Sequence, residues 1–285
     1  MDKIKWPLKT ADKLQQRFKP VAFTAAVIKK YSEDDGGRLA ALITYYGFLS
    51  LFPLLLVATS LIHILLTNNQ ELQDRIINGI TDYFPSISPA LQTSIQGFHS
   101  SGLALLLGIL FTLYGARGGA AAIRFAFNQI WQVPKKDRLG FPQSIINSFL
   151  IIFVGGGGLI LAAVLSGYAA GLNHTHAYKL IPFAISYGIL IGIFYLVFSL
   201  GISSTEPSRK DLLVSALAAA TGAQILQIIG GYLVSHQLQH LSSLYGTFAV
   251  VLGLFFWIYL QAQILLLATS AGAVRSKRLW PISLF

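Results

Sequence analysis

Charge is what this chain has least of. Asp, Glu, Lys and Arg make up 11% of 285 residues against a hydrophobic share of 54%, whereas an average soluble domain is about 25% charged. The stretch 212–274 runs for 63 residues without one of them, which excludes an ordinary water-soluble globule. Cysteine is absent, so disulfides and thiolate chemistry are excluded. No Asp or Glu falls inside any long apolar run, and a proton or cation relay of the usual carboxylate kind has no carrier. The first 38 residues are polar and basic, without the apolar core of a cleavable signal peptide, so the first apolar run is expected to be retained.

What is present is long and apolar. A hydrocarbon layer about 30 Å thick needs about 20 helical residues per crossing, and six runs suffice: 39–66, 102–122, 144–171, 180–203, 212–234 and 244–274. Their lack of short alternation argues against barrel strands, and backbone groups in lipid must be bonded internally. The expected fold is all-α: a polytopic membrane protein with six transmembrane helices over 39–274, a cytoplasmic amphipathic segment at 1–38 and a cytoplasmic tail at 275–285. With both termini on the cytoplasmic side, that side holds nineteen basic residues and only Arg75 and Lys179 fall outside. The positive-inside bias predicts this orientation. The net charge of +10 is thereby absorbed by topology, and a nucleic-acid partner is not expected.

Within 1–38, Phe18, Val21, Val27, Ile28 and Tyr31 alternate with basic residues as in a helix lying on the cytoplasmic leaflet, ending at an acidic, flexible 33–37. The connection 67–101 has Leu72, Ile76, Ile77, Ile80 and Phe84 at helical spacing, and Ser88-Pro89 suits a helix start; a helical external cap is predicted. Gly115 with Gly119, Gly167 with Gly171, and Gly188 with Gly192 are spaced for close helix contact. The run 155–158 of four glycines is expected to pack closely too, with a hinge or a lipid-accessible notch as the alternatives. Pro53 lies well inside the first span and should kink it, which makes it a hinge candidate. No internal repeat of the inverted-transporter kind is evident.

Tyr45-Tyr46-Gly47-Phe48-Leu49-Ser50-Leu51-Phe52-Pro53 resembles the first-span signature of the BrkB/YihY family of bacterial inner-membrane proteins. Arg117-Gly118-Gly119 followed by Phe127-Asn128 and Trp131 resembles its second-span ending, and Tyr245-Gly246 through Trp257 and Tyr259 its last span. The resemblance covers residues 30–275 and departs at Ala268-Thr269-Ser270, where the family often has Gly-Ala-Glu. It implies a six-span protein of the bacterial inner membrane linked to envelope integrity, for which lipid or glycolipid export has been suggested. Members have also carried a ribonuclease BN label. A metal-dependent nuclease needs clustered His and Asp ligands reachable by RNA. The six histidines, His63, His99, His174, His176, His236 and His240, all fall at or beyond the external span ends, which argues against that activity.

Four of them, His174 with His176 in one external turn and His236 with His240 in another, are weak candidates for a metal or pH-sensing site. No carboxylate accompanies them, and no metal or cofactor is expected. The strongest intramembrane feature is a stripe on the second span, Arg117, Arg124 and Asn128, spaced to share one helix face. A charge at that depth must snorkel, pair or line a hydrated cavity. The stripe therefore either fixes orientation or contacts anionic lipid headgroups. Gln224 and Gln227 on the fifth span and Gln261 and Gln263 on the sixth lie at comparable depth, placed to bond across the bundle or to line a polar path. No serine has a histidine partner at its depth, so an enzyme is not expected. Two functions stay open: a transporter or flippase-like protein for an anionic amphipathic envelope lipid, and a non-transporting membrane scaffold that binds partners.

Overall fold

The computed structural model describes residues 18–65, 102–171, 180–203, 207–233 and 247–280. The predicted cap at 67–101 lies outside the described residues. So do His174, His176, His236 and His240, the weak metal or pH-sensing candidates. Among the described residues there are seven α-helices and no strands: α1 Lys19–Glu33, α2 Gly36–Leu65, α3 Gly102–Ile130, α4 Gln143–Gly171, α5 Leu180–Gly201, α6 Arg209–Leu233 and α7 Thr247–Ser276. Helices α2 to α7 are 22 to 30 residues long. Within them the segments Ala184–Gly201 and Val251–Ser276 are long and apolar enough to cross a membrane by length and composition.

Each of these six helices packs on its neighbour in sequence, and α7 closes on α2, so the six form a ring. Arg124 near the end of α3 bonds Ser144 and Ser148 at the start of α4, Asn128 bonds Gly201 at the end of α5, and Arg275 at the end of α7 pairs with Asp211 at the start of α6, so these helices alternate in direction. Basic residues consequently gather at one end. There Lys277 donates to the Trp131 carbonyl at 3.0 Å and to Gln132 Oε1 at 3.1 Å, which holds the end of α7 to the end of α3. Arg275 pairs with Asp211 across 3.5 Å, and Ser208 Oγ, which donates to the same carboxylate at 2.7 Å, caps α6 by accepting from the Asp211 N–H at 3.3 Å. At this basic end Trp131, Phe127, Phe198, Ile130, Leu266 and Val274 are fully buried. A side chain at Gly201 would overlap the Phe127 ring, and one at Gly272 would overlap Ser215; only glycine permits these approaches.

Helix α1 is docked on the bundle. Ala26 and Val27 pack on Ala271 and Val274, and Phe23 meets Trp280 edge-on at 6.1 Å. Phe18, Val21 and Ile28 remain exposed on the other face. The segment expected to be flexible is a tight turn. Asp35 takes φ 57°, Lys30 and Asp34 form a nearly buried ion pair at 2.6 Å, and the Tyr31 ring covers Gly36 so closely that a methyl group there would overlap it. Local ion pairing and the ring, rather than glycine content, decide the conformation.

Two glycine expectations fail. Gly155, Gly156 and Gly157 have nothing within 4 Å of where a Cβ would stand, and among the four only Gly158 is tight, against Ile193. Gly188 and Gly192 are equally open, because they lie on the face of α5 turned away from Leu190, Ile193 and Val197, the side that meets its neighbours. Gly115 does pack, since a Cβ there would stand 3.1 Å from the Ser50 backbone, and one at Gly119 would touch Tyr46 at 4.0 Å. Pro53 sits inside α2, which continues unbroken to Leu65.

Candidate functional site

The arginine stripe divides on folding. Arg124 is buried, donating to the Ser144 carbonyl and, at 3.4 Å, to Ser148 Oγ in the first turns of α4, while its Nε has no partner. Ser148 itself donates to the Ser144 carbonyl at 2.8 Å. Asn128 is also spent on structure. Its Nδ2 donates to the carbonyls of Arg124 at 2.7 Å and Gly201 at 3.3 Å, and its Oδ1 accepts from the Ser203 N–H at 2.9 Å. Asn147 adds a bond to the Leu200 carbonyl at 3.2 Å. Two asparagines from α3 and α4 thus satisfy the C-terminal carbonyls of α5 that a helix end leaves open. Arg117, two turns from Arg124, is exposed and makes no bond among the described residues. The three stripe residues therefore share a helix face and not a pocket.

A cavity of about 450 Å³ occupies the middle of the ring, and all six long helices line it. Its wall is apolar, with Ile43, Ala120, Ile152, Phe194 and Leu265 among the lining residues; among the described residues Ser50, Gln227 and Gln261 are its polar side chains and no charged residue lines it. The lining positions lie about 6–27 Å from the basic helix ends at 1.5 Å per residue. The volume falls in the range of small-ligand sites, about 300–1,000 Å³. Of the four glutamines expected at one depth, Gln227 and Gln261 reach this wall and Gln224 and Gln263 do not.

Gln263 instead acts on Tyr31 of α1, beside Tyr259. The Tyr31 hydroxyl is buried with no partner at hydrogen-bonding geometry. Burial first, and then Tyr259, push its pKa above the ordinary phenol value, and Gln263 partly offsets the shift. Spacing could not reveal Ser50 or the open glycines as lining residues, because both depend on which face the neighbouring helix covers. Among the described residues no group of His, Asp or Glu could hold a metal ion. The candidate pairs His174 with His176 and His236 with His240 fall outside those residues.

The sequence motifs interlock around this site. Tyr46 packs so closely on Gly118 that a methyl group there would overlap its ring, and Ser50 meets Gly115, so the Tyr-Tyr and Arg-Gly-Gly motifs form one α2–α3 contact. Long, mostly apolar helices that turn Leu49, Leu110, Phe153, Ile185 and Phe256 outward have the surface of a helical membrane protein rather than of a soluble bundle. The chain belongs to the Virulence factor BrkB family, whose model matches residues 27–280. It is 24% identical over 284 residues to inner membrane protein YhjD of Escherichia coli K12, covering 90% of this chain and 81% of that one. It is 26% identical over 276 residues to a UPF0761 membrane protein of Vibrio campbellii, covering 90% and 83%. A UPF0761 membrane protein of Acinetobacter baylyi is 26% identical over 262 residues, and there the chain spans 88% of itself but 61% of the relative. No solved structure matches.

Proposed function

We propose that this chain is a six-span protein of the bacterial inner membrane, without enzymatic activity, that binds and moves an anionic amphipathic envelope lipid. The central cavity carries the reading. Its described wall is apolar and without charge and lies within the length of the six long helices, which suits a lipid chain better than a bare ion. Nineteen basic residues assigned to one side support an orientation with that end in the cytoplasm, and the exposed Arg117 offers a contact for an anionic headgroup.

The test is reconstitution into vesicles of phosphatidylethanolamine and phosphatidylglycerol, reading transbilayer movement of a fluorescent phosphatidylglycerol, alongside native mass spectrometry of retained lipid. Retained phosphatidylglycerol and movement faster than in protein-free vesicles support the function. Neither retention nor movement would overturn it and leave a scaffold that binds partners.

A further inference from the structure

We propose that the seam between α3 and α4 is a lateral portal through which an acyl chain passes from the membrane into the central cavity, with Arg117 at its rim holding the lipid's anionic headgroup. This rests on the lipid reading of the cavity and adds the route and the orientation.

The argument begins with register. Arg124 reaches Ser144 and Ser148, which fixes how α3 lies against α4. The two helices are antiparallel, so seven residues further along each, about 10 Å away, Arg117 stands level with Gly155. On the helix wheel Arg117 points nearly the same way as Arg124, toward α4. It is exposed all the same, because the side chains that would cover it are missing: at Gly155, Gly156 and Gly157 a Cβ would meet nothing within 4 Å. One residue on, Gly158 is tight against Ile193 of α5. Helix α4 is therefore held to α5 and stands off from α3. Among the neighbouring pairs of the ring, α3 and α4 have the sparsest contact.

The gap leads inward. Gly155 and Gly156 line the cavity together with Ala116, Gly119 and Ala120 across the seam. The passage is walled by backbone and methyl groups, which suits a flexible hydrocarbon chain. The rim is different: Arg117 stands there, and Tyr114 on α3 and Phe153 on α4 are turned outward, 74% and 78% exposed. The six ring helices contain one carboxylate, Asp211, and it is held by Ser208 and Arg275 at the basic end. A cation at the rim of an uncharged passage, with no carboxylate from these helices to match it, fits a lipid phosphate.

The same openness makes the test clean. Gly155→Leu/Gly156→Leu would fill the passage without a clash at Cβ, and leucine favours a helix over glycine. Gly188→Leu/Gly192→Leu is the matched control, since those sites are as open but line no part of the cavity. Full-length protein in vesicles would be given phosphatidylglycerol bearing a diazirine on its acyl chain, irradiated, and its labelled residues mapped by mass spectrometry. Labelling of Ile123, Ile152 and Phe194 in the native chain is expected, lost in the 155/156 variant, kept in the 188/192 variant and reduced in Arg117→Gln. Cavity labelling that persists in the 155/156 variant would overturn the portal while leaving the lipid reading intact. Loss in both glycine variants would also overturn it. No cavity labelling in the native chain would remove the lipid reading and the portal together.

Discussion

Arg117 and Arg124 lie seven residues apart on one face of α3, yet Arg124 is 8% exposed and bonded to α4 while Arg117 is exposed and unbonded among the described residues. Helical periodicity makes the two equivalent. The first turns of α4 cover one and its glycines leave the other open, so the two substitutions should behave differently.

Arg124→Ala should destabilise the protein, because it removes the bonds of a buried guanidinium to the Ser144 carbonyl and Ser148 Oγ across the α3–α4 seam. A loss of about 1–3 kcal/mol is expected for a buried hydrogen-bonded group. Arg117→Gln should stay within about 0.5 kcal/mol, as surface changes do. Thermal unfolding in matched detergent checks both, and equal destabilisation would contradict the division.

Asn128→Ala removes the bonds to Gly201 and Ser203 that close the end of α5. Hydrogen exchange at residues 200–203 should quicken in this variant, with stability falling by about 1–3 kcal/mol. Unchanged protection there would mean that Asn147 alone holds the helix end.

Gly118→Leu should disrupt the α2–α3 contact, since the Tyr46 ring fills the space its side chain needs. Overpacking of this kind costs about 1–3 kcal/mol. Gly192→Leu, with open space around it, should leave the melting temperature unchanged or raise it.

The Tyr31 phenol titrates above its ordinary value because burial disfavours the charged form. A raised folded-state pKa means that its contribution is fully present below the unfolded phenol value and is lost as pH rises through the folded one. The native chain should therefore lose stability above about pH 10, and Tyr31→Phe should lose less over that range. Parallel alkaline melting curves for the two would rule the coupling out.

Much was legible before folding. The scarcity of charge and the length of the apolar runs located six long helices, five with ends within a few residues of the observed ones; α3 continues to Ile130, past the predicted end at 122. It does so because the polar residues that mark the end of an apolar run, Arg124 and Asn128, find partners on α4 and α5 and need no water. Family motifs were legible too, although their role as one interlocking α2–α3 contact was not.

Composition and periodicity determined the environment, the places of six long helices and the candidate polar residues, because partition into lipid and helical register are properties of local sequence. Only the tertiary structure decided which glycines pack, which arginine is covered and which glutamines meet the cavity. Each of those depends on the face that a neighbouring helix presents, and a glycine gives no side chain by which its own sequence could choose.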